Sequence, residues 1–588
     1  MTLERRSFAY VTAVEGRRVL CRIHDTHRGR TALTASGPAL VVEVGARVGL
    51  RVGAQVLVAE IVALRFAEPR ELRAHAVGAM ASQDQPQREM ETRVLGALVR
   101  GGGTESWTFR PGGLQSPPLG AEVVPLDAEE LTAVATYAGD DAIDVGRSVQ
   151  GDVPIRVQLD RLLSQHVAVV GSTGQGKSCL TAAFLQRLHQ SYPKLACVVF
   201  DINGEYTAAL SDEAGKVREG VRVTRLGQER RLHYSELGRV GLETLLMPSE
   251  KTQRPALRFG LQALPHVGWE EQAGGAYRLH ATSKSATFFD DCRQVGAAPA
   301  LGELDQLRKE ALVTPQGAFD WPHLSALAAL VAEFGALRHG NKGPERSAFD
   351  YGNVAPFVRR IQQLVDDPIL AGCFDFGPRH DYAWAPSPFD SARTSLVDEF
   401  FSGHASWNTS PWRVHILDLT RVPQLELPAV TGALLDAFIV ELMSKGPGAW
   451  HPTLLVLEEA HHYIRRHGAA AEDGGVGLLP YERLAKEGRK FGVSMWLSTQ
   501  RPSELSPTVL AQCGTWFSLR LSASADLERV RSASEWSDRG LMDRIPALPV
   551  QEAIGFGAAF HAPTHMRLPT AAPLPRSENP AFHAEWSK

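Results

Sequence analysis

The sequence has no run of 18 apolar residues able to span a bilayer, and its opening stretch, MTLERRSFAYVTAVEG, has no apolar leader segment. The expectation is a cytoplasmic protein without a membrane partner. Cysteine is sparse: six residues, Cys21, Cys179, Cys197, Cys292, Cys373 and Cys513, are scattered without a CxxC pair, which excludes a zinc ribbon and a disulfide framework. Charge of one sign is lacking too. A formal net charge of −4 and a pI near 6.6 exclude a broadly basic chain, so any contact with nucleic acid must rest on local positive charge. Hydrophobic residues at 44% and charged residues at 22% lie near the globular average, which excludes wholesale disorder. With 588 residues the chain exceeds one ordinary core and predicts about two to four domains.

Residues 1–75 read as an N-terminal β domain, because Val and Leu recur at spacing two between glycine turns in FAYVTAVEGRRVLCRIHD and ALVVEVGARVGLRVGAQVLVAEIVALRF. Residues 76–150, with GGGTESW and PGGLQSPPLG, read as a loop-laden connector. From 151 to 245 apolar strands alternate with helices, the signature of a parallel α/β core. Residues 246–400 read as a helical insertion, in which Val354, Phe357, Ile361 and Leu364 share one helix face. The core resumes over 401–568, and the proline-rich 569–588 is expected to be an extended tail.

GSTGQGKS fits GxxxxGK[ST] and stands between an apolar strand and a helix, the context that gives this pattern its meaning. Gly171, Ser172, Thr173, Gly174, Gln175, Gly176, Lys177, Ser178 and Cys179 are therefore expected to hold ATP, with backbone N–H groups around the phosphates. Lys177 is expected to reach the β- and γ-phosphates, and Ser178 to bind Mg²⁺. TLLVLEEAHHY releases Glu458 and Glu459 at the carboxyl end of a strand, where parallel sheets bind ligands. Glu458 is assigned to Mg²⁺ and Glu459 to the base that orients the attacking water. VVFDINGEY follows the P-loop strand in sequence order and places Asp201 and Glu205 after a second apolar run, beside the phosphates. VSMWLSTQRP ends in Ser498, Thr499 and Gln500, a place for a polar sensor of the γ-phosphate. His461 and His462 are adjacent and have no HxxxH or CxxC companion, which argues against zinc and leaves two readings, a histidine that couples the site to the neighbouring strand or one that is merely packed. In YERLAKEGRKFG, Arg483 and Arg489 fall on a helix between two site strands, placed to offer a guanidinium to a neighbouring subunit's γ-phosphate.

With these elements in order, the chain resembles the HerA branch of the HerA/FtsK P-loop ATPases, through HVAVVGSTGQGKS, VVFDINGEY, LLVLEEAHHY, LAKEGRKFG, STQRP and LPVQEAIGFG. The resemblance implies a RecA-like core with an N-terminal small β-barrel and a homohexameric ring that moves double-stranded DNA. It implies an ATP site built from Lys177, Ser178, Asp201, Glu205, Glu458, Glu459 and Gln500, with Arg489, favoured over Arg483, acting in trans. A NurA-like partner nuclease, or a defence effector, would dock on the barrel. The chain departs from the family at Asn203, where a histidine is usual, at the EE pair in place of DE, and at Gln551, where glycine is common. Arg465 and Arg466, ahead of a Gly/Ala stretch, are the candidate DNA contacts around the pore. A second reading makes the ring a scaffold that regulates a separate nuclease or sirtuin-type effector. A third, a protein-pumping or conjugative ATPase, sits less well with the N-terminal β domain.

Overall fold

The computed structural model describes residues 7–576 apart from 68–86, 280–318, 383–395, 465–478, 534–540 and shorter gaps, together with Trp586 and Ser587. Near the N-terminus the alternation seen in the sequence becomes a closed barrel. In Arg18–Ile23 the side chains of Val19, Cys21 and Ile23 are buried while Arg18 faces out, the two-residue period of a strand with one wet face. Six strands close in the order Arg18–Ile23, Ala9–Glu15, Glu122–Pro125, Arg47–Val52, Gln55–Phe66 and Arg88–Arg100, the last pairing back onto the first. A further strand, Trp107–Pro111, hangs on the outside of Arg88–Arg100.

The barrel therefore extends well past residue 75, and the expected connector 76–150 is not a connector. Arg88–Arg100 and Glu122–Pro125 are barrel staves, and Ala142–Ser148 already belongs to the core sheet. Of the glycine- and proline-rich pieces that suggested loops, 115–120 connects Trp107–Pro111 to Glu122–Pro125, and 101–105 lies outside the described residues. Barrel and core are joined by polar contacts. Arg47 donates to Thr564 Oγ1 at 2.6 Å and Pro563 O at 2.8 Å, Gln150 bonds both backbone groups of Arg47, and Arg544 reaches Val44 O and Glu43.

The core is one eleven-stranded sheet. Seven of its strands run parallel in the order Cys513–Ser518, His166–Val170, Val493–Thr499, Thr453–Leu457, Cys197–Asp201, Val414–Asp418 and Val221–Arg225. Antiparallel Glu552–Gly557, Thr564–Arg567, Ala142–Ser148 and Pro154–Gln158 complete one side. The four central parallel strands, His166–Val170, Val493–Thr499, Thr453–Leu457 and Cys197–Asp201, are buried throughout, which is why they read as largely apolar runs. The strand carrying Asp201 follows the P-loop strand in sequence but is not its neighbour, since Val493–Thr499 and Thr453–Leu457 lie between them. The chain leaves the P-loop strand in one direction and returns later on its other side, so a crevice opens at its carboxyl end.

The helix Leu427–Lys445 is long and apolar enough to cross a membrane, yet it is packed in the core through Leu434, Phe438 and Leu442. Within the insertion, helices Gln253–Ala263, Ser325–Ala336 and Ala348–Asp366 are accompanied by short hairpins such as Leu337–Gly340 with Gly343–Arg346. The tail is not a free fringe over its first part. Gln186 on the P-loop helix donates to Pro573 O at 2.8 Å and accepts from Ala572 N at 2.9 Å, and Arg576 N donates to Glu205 O at 3.0 Å.

One core histidine gives the fold an acid limit. His415 is fully buried on Val414–Asp418, with Nε2 2.8 Å from Thr224 Oγ1 and Nδ1 3.3 Å from Phe400 O. Burial, reinforced by the Arg222 charge, pushes its pKa down to about 3. Between that value and about 6.5 the unfolded chain binds a proton that the folded chain refuses, so stability rises with pH across this window and is lost as pH falls through it. From pH 7 to pH 4 this residue alone is expected to remove about 3 kcal/mol. Urea unfolding at the two pH values should show a smaller difference in His415→Gln than in the parent; an equal difference would clear His415 of this role.

Candidate active site

The P-loop, Gly171 to Ser178, joins the buried strand His166–Val170 to the helix Lys177–Ser191. Gly174 and Gly176 have φ of 73° and 107°, a left-handed path that glycine adopts without strain. The loop is tied to its neighbours by Gly171 N to Thr499 O at 3.2 Å and Ser172 N to Arg520 O at 2.9 Å. Lys177 is buried; its ammonium donates to Gly171 O at 3.0 Å and lies 3.7 Å from Glu459 Oε1. Cys179, the last expected ATP contact, accepts a hydrogen bond on sulfur from Ala571 N at 3.4 Å, which places the tail beside the loop.

The acid pair lies in the turn after Thr453–Leu457, and its two side chains diverge. Glu458 turns inward, where Tyr206 Oη donates to its Oε2 and Ser498 Oγ to its Oε1, the latter at 3.2 Å. Burial pushes its carboxyl up to about 8, and the Tyr206 hydroxyl only partly opposes this. Glu459 turns to the P-loop in a left-handed backbone conformation, φ 43°. Burial works against its charge, but His461, with Nδ1 at 3.3 Å, and the Lys177 ammonium outweigh burial and hold its pKa below the usual carboxylate value. The two environments push the acids in opposite directions, Glu458 up and Glu459 down, and so separate their roles. A Glu459 carboxylate that is charged, oriented and beside Lys177 suits a base.

Gln500 sits at the end of Val493–Thr499. Its backbone N–H supports the Glu459 carboxylate, and its side-chain oxygen accepts from Thr173 Oγ1 of the P-loop. His461 Nδ1 is also 3.2 Å from Thr499 Oγ1, linking the acid strand to the sensor strand, while His462 bonds Gln424 instead.

Asp201 requires a correction. Its carboxylate accepts from the backbone N–H of Gly204 at 2.8 Å, Glu205 at 3.1 Å and Tyr206 at 3.0 Å. Both oxygens are thus consumed in building the turn, and the residue is fully buried, so it shapes the site without facing the phosphates. Burial raises its pKa to about 6 against these hydrogen bonds. The turn delivers Glu205, whose pKa burial raises and whose charged form hydrogen bonds from Ser178 and Asn203 favour. Glu205 Oε2 is buried and has no hydrogen-bond partner. An orphaned carboxylate oxygen beside the Walker A serine fits Mg²⁺, a hard cation that takes one or two protein oxygens and completes its shell with phosphate and water. Among the described residues there is no cluster of three metal-ligating side chains, so the site has the donors for this sparse mode and not for a protein cage.

Lys177, Ser178, Glu205, Glu458, Glu459 and Gln500 thus converge at the carboxyl ends of the parallel strands. Arg483 and Arg489 do not join them. Arg489 lies in the turn Gly488–Phe491 ahead of Val493–Thr499, at the opposite edge of the sheet, and Arg483 is on the surface helix Pro480–Glu487, 4.0 Å from Glu487. Arg465 and Arg466 lie outside the described residues. Tyr206 was missed by the sequence reading, although a tyrosine directly after a site carboxylate was signal enough to consider it.

A family profile described as Helicase HerA, central domain, matches residues 143–290. The chain is 29% identical to the DNA double-strand break repair helicase HerA of Pyrococcus furiosus, over 73% of this chain and 70% of that protein. It is 21% identical to the protein of the same description from Sulfolobus acidocaldarius, over 80% and 78%. Among solved structures, VirB4 of Thermoanaerobacter pseudethanolicus aligns over 74% of this chain and 98% of that one, at 14% identity and a TM-score of 0.45.

Proposed function

We propose that the chain, similar to HerA helicases over most of its length, is a member of that family and an ATP-driven translocase or helicase acting on double-stranded DNA. The observation that carries this reading is the Glu459 carboxylate 3.7 Å from the Lys177 ammonium at the mouth of the P-loop, beside a Glu458 held by Tyr206 and Ser498. In the proposed reaction Glu459 orients a water and takes its proton as the water oxygen bonds to the γ-phosphorus and the bond to the bridging oxygen breaks. Lys177 offsets charge on the phosphate oxygens, and Gln500, fixed by Thr173, holds the sensor position. Mg²⁺ beside Ser178 would screen the same oxygens.

Since Arg489 is at the far edge of the sheet, it serves a site only if that site belongs to another subunit. A ring, six-membered in this reading, supplies that neighbour. DNA would be held through phosphates in a salt-sensitive, sequence-independent way, because a motor must accept every base step. A nuclease or defence effector is the proposed partner, with the barrel as its docking surface. The test is ATP hydrolysis with and without duplex DNA, followed by displacement of a block from that duplex. Stimulated hydrolysis with displacement supports the motor. Hydrolysis indifferent to DNA would replace it with an ATPase scaffold that regulates an effector.

A further inference from the structure

Of the three glutamates at this site Glu459 is drawn to Lys177 and His461, its Oε2 also without a hydrogen-bond partner, and the other two are held differently. Both oxygens of Glu458 already accept, one from Tyr206 and one from Ser498, and the residue is 1% exposed. Its backbone is engaged as well, with its N–H donating to Phe200 O at 3.3 Å and its carbonyl accepting from Tyr463 Oη at 2.9 Å. Glu205 is held the other way round. Asp201 fixes the main chain of Gly204, Glu205 and Tyr206, so the two last side chains leave one clasped turn in different directions. Tyr206 goes inward to Glu458, while Glu205 goes to Ser178 and keeps Oε2 without a hydrogen-bond partner.

We propose that Glu205, and not Glu458, is the carboxylate that faces the metal ion beside Ser178, and that Tyr206 and Ser498 hold Glu458 out of its reach. The acid after the second strand thereby takes the place usually given to the first acid of the strand ending in the pair. Tyr206 is a positioning residue in this scheme. It spans from the Asp201 turn to the acid strand, so the metal side and the water side of the phosphates are set by one backbone clasp. The inference rests on the ATPase reading, and its test separates the two.

Binding of a fluorescent ADP analogue is measured with and without Mg²⁺, and Mn²⁺ with ADP is followed by electron paramagnetic resonance. These readouts need no turnover. In the parent protein the metal is expected to tighten nucleotide binding; Glu205→Gln should lose about tenfold or more of that effect and weaken the Mn²⁺ signal. Glu458→Gln, which keeps partners for Tyr206 and Ser498, should retain both. Metal-free ADP binding shows that each variant is folded. A Glu458→Gln protein that loses the metal response, or a Glu205→Gln protein that keeps it, overturns this assignment alone. A parent protein whose ADP binding ignores Mg²⁺ would sink the metal-dependent ATPase reading, and this assignment with it.

Discussion

Glu459→Gln is expected to bind ATP as the parent does and to hydrolyse it about 10²- to 10⁴-fold more slowly. The expectation follows from what the substitution keeps and what it removes. Gln retains the length and one oxygen, so the contact with the Gln500 N–H survives and the strand end keeps its shape. It removes the charge that Lys177 and His461 sustain against burial, and with it the capacity to accept a proton. Binding, carried by the P-loop backbone and Lys177, should change little. Rapid-mix single-turnover hydrolysis alongside equilibrium nucleotide binding separates the two quantities. If the rate falls less than tenfold, the base is another group.

The second large effect is expected at a residue that does not touch its own chain's site. Arg489→Ala should lower hydrolysis by about 10³- to 10⁵-fold, the range of an arginine supplied in trans, with nucleotide affinity intact. Position gives the reason. Gly488–Phe491 precedes the strand that Gln500 ends, so the length of the strand Val493–Thr499 separates the guanidinium from Gln500 within one subunit. The decisive measurement mixes two inactive proteins. In a mixed ring an Arg489→Ala subunit keeps its own Glu459, and a Glu459→Gln neighbour can lend it the missing arginine. Recovered hydrolysis in the mixture supports the assignment. Silence in the mixture, or full activity of Arg489→Ala alone, transfers the role to Arg483 or removes it from this helix.

The core strands were legible in the sequence because a strand buried on both faces has no polar residue until it emerges. HVAVV, VVFD and TLLVL stop being apolar where the site begins, and so the positions of Lys177, Glu205, Glu458, Glu459 and Gln500 could be placed together. Strand order was not legible in the same way. Nothing in VVFD indicates that two strands from later in the chain enter between it and HVAVV, because neighbours in a parallel sheet are chosen by crossover and not by local pattern. The role of Asp201 was hidden for a related reason. A carboxylate that binds phosphate ligands and one that clasps three amides look alike in sequence, and only the turn through Gly204, with φ 72°, shows which it is. The barrel boundary was misread because glycine-rich sequence such as GGGTESW follows the stave Arg88–Arg100, and the same composition marks linkers.

The closure of that barrel limits how another protein can attach to it. Each of the six staves pairs on both sides, Arg88–Arg100 with three strands, which leaves little of their backbone as a template for strand addition. Trp107–Pro111 pairs on one side only, with Arg88–Arg100. A ligand protein that binds by β-augmentation can extend this edge, whereas one that recognises the staves must read side chains and loops. Placing a proline in Trp107–Pro111 would distinguish these two modes of recognition without touching the nucleotide site.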